Sequence, residues 1–302
     1  MAKNLLNKYV WLVETIYKSK AISFEELNEK WLDSELSEGV ELPQRTFHKW
    51  RVAVEETFGL NIECDCKRGY RYYISDADEF EDGNIRRWLL NTISISNLLV
   101  GNQQMKDRIL LESIPSGQEY LSDIITAMKK GLCICMTYQS FSKDKSSTFE
   151  VEPYCVKLFK QRWYVVARNP YYDKMMIYSL DRIHHLEILA DKRFKMPEAF
   201  RSAEYFEEYY GVTVDNHYEV ERIKLKASAG QANYLRSLPL HHSQLEIEKA
   251  EGYSVFELTI RPTYDFLQEI LRNGENVEVL EPLWLREEIA GMVQRLCDKY
   301  KN

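Results

Sequence analysis

The stretch LPQRTFHKWRVAVEETFG, residues 42–59, predicts an amphipathic helix with a cationic exposed face. Pro43 suits the first turn of such a helix and Gly59 suits its C-terminal cap, so the sequence itself marks both ends. Arg51 lies at the flank of the apolar stripe. The apolar side chains recur at the three- and four-residue intervals of a buried helix face: Phe47, Trp50, Val54 and Phe58.

The residues that follow, LNIECDCKRGYRYYI (60–74), predict a β-hairpin. Apolar and polar residues alternate on both sides of the basic turn at 67–69. Two helices are predicted upstream, because apolar residues between 5 and 17 keep helical spacing and Ser23 with Glu26 has the pattern of a capping box. Three helices and a hairpin with a basic tip predict a winged helix-turn-helix.

The cations of this segment are concentrated on the third helix and the hairpin, although the whole chain carries a net charge of −7. A DNA-binding face needs only a local basic surface, and most acids of the segment lie on the first two helices and the loop after them. This polarity favours DNA binding over the alternative of an ordinary solvated helix face. The predicted DNA-binding residues are Arg45, Thr46, His48, Lys49, Arg51, Lys67, Arg68 and Arg71.

The rest of the chain predicts further domains behind this winged helix at residues 1–76, so the fold class is α+β and multidomain. Helical spacing between residues 77 and 131 predicts a helical connector. Short alternating runs within 132–196 predict a small β-barrel of five or six strands, with separate runs at 147–154 and 156–159.

Residues 197–302 predict linker helices followed by a compact domain. The order of elements in that domain is β-α-β-β-α-β with one extra helix. This is the order of the ferredoxin-like α/β arrangement.

The most specific local signal is KQRWYVVAR, residues 160–168, followed by YSLDRI, residues 178–183. Here the chain resembles the WYL-domain transcriptional regulators of bacteria. That resemblance implies an N-terminal winged helix, a small SH3/Sm-like β-barrel and a C-terminal ferredoxin-like extension. Trp163-Tyr164-Val165 matches the Trp-Tyr-Leu signature with Val for Leu, and the residues 152–154 and 180–183 match the flanking patterns.

The resemblance implies a cationic pocket on the barrel for a nucleotide or short nucleic acid as effector. Glu152 departs from the family, because relatives often have a basic residue or His there, and it would weaken anion binding if it faced the pocket. An ion pair with Asp181 or another acid is the alternative role of Arg182. Carried over position by position, the ligand-binding residues are Tyr138, Ser140, Arg168 and Arg182. Guanidinium groups can hold phosphate, a hydroxyl can add a hydrogen bond, and a tyrosine ring can stack on a base.

Several other classes of protein are disfavoured. No apolar run is long enough to cross a bilayer and the N-terminus lacks a signal-peptide region, so we expect a cytoplasmic protein. The cysteine pairs at 64/66 and 133/135 fit apolar strand positions better than a metal site, and no metal is predicted. His184-His185 and His241-His242 are expected to be surface residues that point apart. No phosphate-binding glycine loop or nucleophile motif is present, so neither a cofactor nor enzymatic activity is predicted.

The sequence therefore predicts a ligand-responsive transcriptional regulator that binds a double-stranded DNA operator as a homodimer. The connector and the C-terminal domain are the expected dimer surfaces, because they hold more aromatic area than small domains need. The alternative is a nucleic-acid- or nucleotide-sensing signalling module that does not regulate transcription, in which the winged helix contacts proteins.

Overall fold

The computed structural model describes residues 2–75 and 117–301. The chain divides into two compact units, Met1–Glu112 and Ser113–Asn302. Most of the predicted connector, residues 77–131, lies outside the described residues. Its last part is helical as predicted and belongs to the second unit.

The first unit has the three helices and the hairpin that its sequence predicts. The elements are α1 (Ala2–Ser19), α2 (Phe24–Leu32), α3 (Gln44–Phe58), β1 (Ile62–Asp65) and β2 (Arg71–Ile74). The two strands pair antiparallel, with Ile62 opposite Ile74 at the open end of the hairpin. One apolar core joins helices and hairpin, and its fully buried members include Leu12, Ile16, Leu27, Phe47, Val54 and Leu60. The unit is a winged helix-turn-helix.

Local sequence signals set the helix ends in this unit. Ser23 and Glu26 form the predicted capping box, each side chain accepting a hydrogen bond from the backbone N–H of the other residue. Gly59 ends α3 in the left-handed conformation at φ 63°. The prediction for Pro43 is wrong by one position: with ψ at 135° it is the N-cap of α3, and its carbonyl accepts from Thr46 and Phe47.

The second unit begins with helix α4 (Gln118–Lys130), which packs on a sheet of five antiparallel strands. These are β3 (Leu132–Tyr138), β4 (Ser147–Phe159), β5 (Arg162–Asn169), β6 (Lys174–Ser179) and β7 (Ile183–Arg193). The strand order is β6-β5-β4-β3-β7, so the last strand returns to pair with the first. This is the predicted SH3/Sm-like arrangement.

Residues 147–159 form one long strand rather than the two predicted runs. The first part of β4 pairs with β3 as far as Val151, and the second part pairs with β5 from Glu152 onward. The pairing register shifts between Pro153 and Cys155. Proline cannot donate a ladder hydrogen bond, and an irregular register bends a strand, so β4 serves both halves of the barrel.

The ferredoxin-like domain follows the short linker helix α5 (Ser202–Phe206). Its sheet has the order β11-β8-β10-β9 with antiparallel neighbours, as the predicted β-α-β-β-α-β order requires. The apolar core lies between this sheet and the helices and includes Leu225, Phe256 and Phe266. The elements are β8 (Glu221–Ser228), α6 (Ala229–Ser237), β9 (Leu245–Ala250), β10 (Tyr253–Ile260), α7 (Tyr264–Arg272), β11 (Val277–Glu281) and α8 (Leu283–Lys301).

One histidine pair differs from its prediction. His184 and His185 are exposed as expected, but His241 is only 9% exposed. His241 and His242 lie on the loop between α6 and β9 and not on a strand, so their rings do not point apart and their centroids are 4.0 Å from each other. Burial, with a further contribution from His242, lowers the pKa of His241 to about 4.

Candidate DNA-binding and effector sites

Helix α3 presents a polar face to solvent. Arg45, His48 and Lys49 are exposed, and Thr46 is half-buried. The spacing of three and four residues places the exposed three on one side of the helix, away from the buried stripe that contains Phe47 and Trp50. Side chains on this face can reach base edges or phosphates without disturbing the core.

Two of the predicted DNA-binding arginines are engaged inside the domain. Arg51 donates from Nε to the carbonyl oxygen of Ile62 at 3.1 Å, and its guanidinium lies 5.1 Å from the ring centroid of Tyr72. Arg71 donates to both carboxylate oxygens of Glu26, at 3.1 and 2.8 Å. The backbone of Ser23 and this guanidinium lower the pKa of Glu26. Arg51 therefore links α3 to the hairpin through hydrogen bonds, and Arg71 links the hairpin to α2 through an ion pair.

The tip of the hairpin offers a cation and an aromatic ring. Lys67 is exposed, and its backbone N–H donates to Asp65 at 3.0 Å. The side chain of Arg68 lies outside the part of the chain that the structure describes. Tyr70 is 66% exposed and has a φ of 55°, so the tight turn holds its ring outward. Sequence reasoning missed Tyr70, because a tyrosine beside a strand is ordinarily expected to pack.

Three of the four predicted effector residues meet on the barrel, where β3 ends beside the 180–182 turn. The backbone N–H of Gln139 donates to the carbonyl of Arg182 at 3.0 Å. Tyr138 is half-buried, with its ring centroid 5.2 Å from that of Tyr178. Ser140 lies two residues further along the loop, and its Oγ is 2.8 Å from Oγ of Ser142.

Arg182 has no carboxylate partner among the described residues, so the ion pair with Asp181 is not formed. Asp181 instead accepts from the Ser179 hydroxyl and lies 3.6 Å from Nη1 of Arg162. The guanidinium of Arg182 covers the ring of Phe141, with Cζ 3.8 Å from the ring centroid. Its Nε is buried and finds no hydrogen-bond partner in the described part of the chain. The charge of Arg182 is therefore not compensated by a carboxylate of the described residues.

Arg168 does not join this group. It is paired with Met175, whereas Tyr164, four residues earlier on β5, is paired with Ser179 beside the turn. Four residues of strand correspond to roughly 13 Å. The guanidinium of Arg168 also holds two carboxylates, Glu152 at 3.1 Å and Asp173 at 2.7 Å. These hydrogen bonds raise the pKa of Arg168 and leave its charge compensated.

Helix α4 fixes the position of the 180–182 turn. Gly117, the N-cap of α4, has a φ of 48°. A Cβ atom there would overlap the backbone of Leu180 and Asp181. Only glycine permits both the left-handed conformation and this close approach, so the residue sets where the turn and Arg182 lie.

Within residues 2–75 and 117–301 no group of His, Cys, Asp and Glu is arranged to hold a metal ion. Among the helices of the same described ranges, none combines the length and apolar character that crossing a bilayer requires.

Comparison with protein families identifies two domains in the second unit. The WYL domain model matches residues 119–188, and the WCX domain model matches residues 219–297. The chain contains a WYL domain followed by a WCX domain. The WYL match includes Trp163-Tyr164-Val165 and extends back to α4, and it confirms the resemblance drawn from those residues.

Two solved structures align with 99% of this chain at low similarity. Proteasome accessory factor B/C (PafBC) of Arthrobacter aurescens is 18% identical with a TM-score of 0.38, and a CRISPR Cas-related protein is 13% identical with a TM-score of 0.40. The chain spans 47% of the PafBC chain and 84% of the second. The search of curated proteins gives no match.

An ion pair with one buried partner connects the WYL and WCX domains. Lys160, in the turn between β4 and β5, places Nζ 2.7 Å from Oε2 of Glu269 on α7. Only 8% of the Glu269 side chain is exposed. Burial alone would raise the pKa of Glu269, but hydrogen bonds from Lys160 and Tyr210 bring it below its ordinary value. The carboxylate is therefore charged and held by the other domain.

The segment between the two domains is held from both sides. From the WYL side, Lys157 donates to the carbonyl of Gly211 at 2.7 Å and covers the ring of Phe206 at 3.7 Å. From the WCX side, Asp265 accepts from the backbone N–H groups of Val212 and Thr213, both at 2.7 Å. Burial lowers the pKa of Lys157 to about 8, although Asp265 opposes the shift.

Proposed function

We propose that this protein is a DNA-binding transcriptional regulator whose affinity for its operator is controlled by a nucleotide-like effector on the WYL domain. The observation that carries the proposal is the exposed cationic face of α3 in a winged helix that precedes a WYL and a WCX domain. WYL and WCX domains occur together in regulators of this kind.

The proposed DNA-contacting face contains fewer residues than the sequence predicted. Arg45, Thr46, His48 and Lys49 would contact bases or phosphates in the major groove, because a winged helix inserts its third helix there. Lys67 at the hairpin tip would contact phosphate, which adds affinity without sequence preference. Arg51 and Arg71 would act indirectly, since their guanidinium groups are used to position the helix and the hairpin.

The effector surface of the proposal consists of Tyr138, Ser140 and Arg182. An anionic group would pair with the guanidinium of Arg182, which has no carboxylate partner among the described residues, and the hydroxyl of Ser140 would add a hydrogen bond. Arg168 is not part of this surface, because Glu152 and Asp173 already neutralise it. The acidic residue at position 152 thus removes one cation from the site that the family resemblance implied.

A series of ion pairs connects this surface to the WCX domain. Asp181, next to Arg182, pairs with Arg162 at the start of β5, and Arg162 follows directly on the turn that holds Lys160. Lys160 in turn pairs with Glu269. A ligand that moves the 180–182 turn would therefore shift the balance between two arrangements of the domains, provided that it binds one arrangement more tightly.

A homodimer is part of the proposal, because helix-turn-helix proteins commonly bind paired half-sites with two-fold symmetry. The last turns of α8 offer one surface for a second copy. Val293, Leu296 and Tyr300 are 49%, 52% and 85% exposed, and their spacing places them on one side of the helix.

The test is DNA binding measured against salt concentration with duplexes selected from a random library. Arg45→Ala with Lys49→Ala should abolish selective binding, and Lys67→Ala should weaken binding to all duplexes and flatten the salt dependence. Lys18→Ala, which removes an exposed cation of α1, is the matched control. If wild type selects no duplex, the alternative of a sensing module with a protein-binding winged helix is favoured instead.

A further inference from the structure

An exposed phenyl ring stands beside the effector surface. Phe141, in the loop between β3 and β4, is 75% exposed. One face of its ring is covered by the guanidinium of Arg182, with Cζ 3.8 Å from the ring centroid. Sequence reasoning passed over this residue, because a phenylalanine in a polar loop matches no motif.

The loop that carries Phe141 is braced by its own hydrogen bonds. The backbone N–H of Lys143 donates to the carbonyl of Ser140 at 3.1 Å, and the hydroxyls of Ser140 and Ser142 lie 2.8 Å apart. The side-chain amide of Gln139 donates to the carbonyls of Ser140 and Lys143. Because the turn is closed in this way, the backbone that carries the ring is ordered before any ligand arrives, which reduces the entropy lost on binding.

The surroundings of the ring are cationic. Lys143 and Lys145 are exposed on the same loop, with Asp144 between them. Arg182 adds a guanidinium whose Nε is buried without a partner among the described residues. An aromatic face next to uncompensated cations suits a ligand that has a planar base and a phosphate, since the base stacks and the phosphate pairs.

We propose that Phe141 is a base-stacking residue, and that the ligand of this surface presents a nucleobase to the ring and a phosphate to Arg182. The inference rests on the proposed effector role of the WYL domain and specifies its ligand class. Inorganic phosphate would pair with the cations but would make no stacking contact with the ring. A free nucleotide and a segment of single-stranded nucleic acid share the required chemistry.

The experiment measures binding of three probes to the full-length protein: a short oligothymidylate, an abasic oligonucleotide of the same length, and thymidine monophosphate. Phe141→Ala should weaken oligothymidylate binding roughly 5- to 150-fold, as expected for loss of one stacked base. Phe141→Trp should retain it, and affinity for the abasic strand should be the same in wild type and Phe141→Ala. Monophosphate binding as tight as that of the oligonucleotide would identify a free nucleotide as the ligand source; weaker binding would identify a strand.

Tyr171→Ala is the matched control, because this ring is 87% exposed at the turn between β5 and β6 and has no arginine stacked on it in the described contacts. Two outcomes overturn the inference in distinguishable ways. If Arg182→Ala loses binding and Phe141→Ala binds like wild type, the stacking role is wrong and the effector site stands. If wild type binds none of the probes, the effector role of the surface fails, and the stacking role fails with it.

Discussion

Nζ of Lys160 lies 2.7 Å from Oε2 of Glu269 and so joins the β4–β5 turn of the WYL domain to helix α7 of the WCX domain. The two partners differ in exposure, since 44% of the lysine side chain but only 8% of the glutamate side chain is exposed. Removing the lysine would leave the buried carboxylate with only Tyr210 and, at 3.5 Å, Arg272 as partners, whereas removing the glutamate would free a lysine that can reach water.

This asymmetry predicts that Lys160→Met costs more stability than Glu269→Gln. We expect about 1–3 kcal/mol for Lys160→Met, the usual cost of taking one hydrogen-bond partner from a buried charged group. Lys192→Met is the matched control, because Lys192 pairs with Glu150 at the surface, where 49% and 43% of the side chains are exposed. That control should change stability little, because exposed ion pairs contribute little. Chemical denaturation measures all three, and equal effects of Lys160→Met and Lys192→Met would contradict the buried connection.

Because the imidazole of His241 is buried, we expect the protein to lose stability at mildly acidic pH. Burial lowers its pKa to about 4 from 6.5, so between these values the unfolded chain binds a proton that the folded chain does not. Stability is therefore complete above pH 6.5 and falls as the pH drops toward 4, by up to about 3 kcal/mol. The measurement is the unfolding free energy of wild type minus that of His241→Gln across this range. The difference should shrink with falling pH, and a difference that stays constant from pH 7 to pH 4 would contradict the buried, neutral imidazole.

Replacing glycine by alanine is expected to have opposite effects on stability at positions 117 and 230. Gly117→Ala would force a left-handed alanine against the backbone of Leu180 and Asp181, so we expect a loss of at least about 2 kcal/mol. Gly230→Ala would place a methyl group in open space inside α6 and should stabilise by about 0.5–1 kcal/mol. Thermal denaturation of both variants checks this, and a neutral Gly117→Ala would show that α4 does not fix the turn.

Alanine substitution of Arg51 and of Arg45, which both lie on α3, is expected to affect stability and DNA binding differently. Arg51→Ala removes hydrogen bonds to Ile62 and should destabilise the winged helix by about 1–3 kcal/mol. Arg45→Ala removes an exposed side chain and should leave stability within about 0.5 kcal/mol while it impairs DNA binding. Unfolding curves beside DNA titrations separate the two roles. An Arg51→Ala protein of wild-type stability would return Arg51 to the set of direct DNA contacts.

Much of the fold could be predicted because its signals are local. The capping box at Ser23, the glycine at 59 and the alternation of the hairpin each act within a few residues, and each is found where expected. The β4 strand shows the limit of such signals. The two predicted runs are divided at Cys155, where the pairing register shifts, and only the pairing with both β3 and β5 shows that the strand is continuous.

The candidate site was harder to predict because it depends on which charges become neighbours. Arg168 and Glu152 lie opposite each other only through the register of β4 and β5, and Asp173 joins them from the next turn. In the sequence Arg182 has an acid beside it, yet the structure turns Asp181 toward Ser179 and Arg162 and places Phe141 over the guanidinium. The pairing of strands decides which arginine has carboxylate neighbours that neutralise its charge. Residue spacing along the chain does not predict this pairing.

Control of DNA binding through the WYL domain is tested most directly by the affinity for a selected DNA duplex with and without saturating oligothymidylate, in wild type and in Arg182→Ala. We expect the oligonucleotide to change the wild-type dissociation constant by roughly 5- to 150-fold, the usual range of coupling between two sites. Arg182→Ala should bind the duplex as tightly as unliganded wild type and show no response. A wild-type affinity that stays constant while the oligonucleotide is bound, or an Arg182→Ala protein that responds like wild type, would contradict control of DNA binding through this surface.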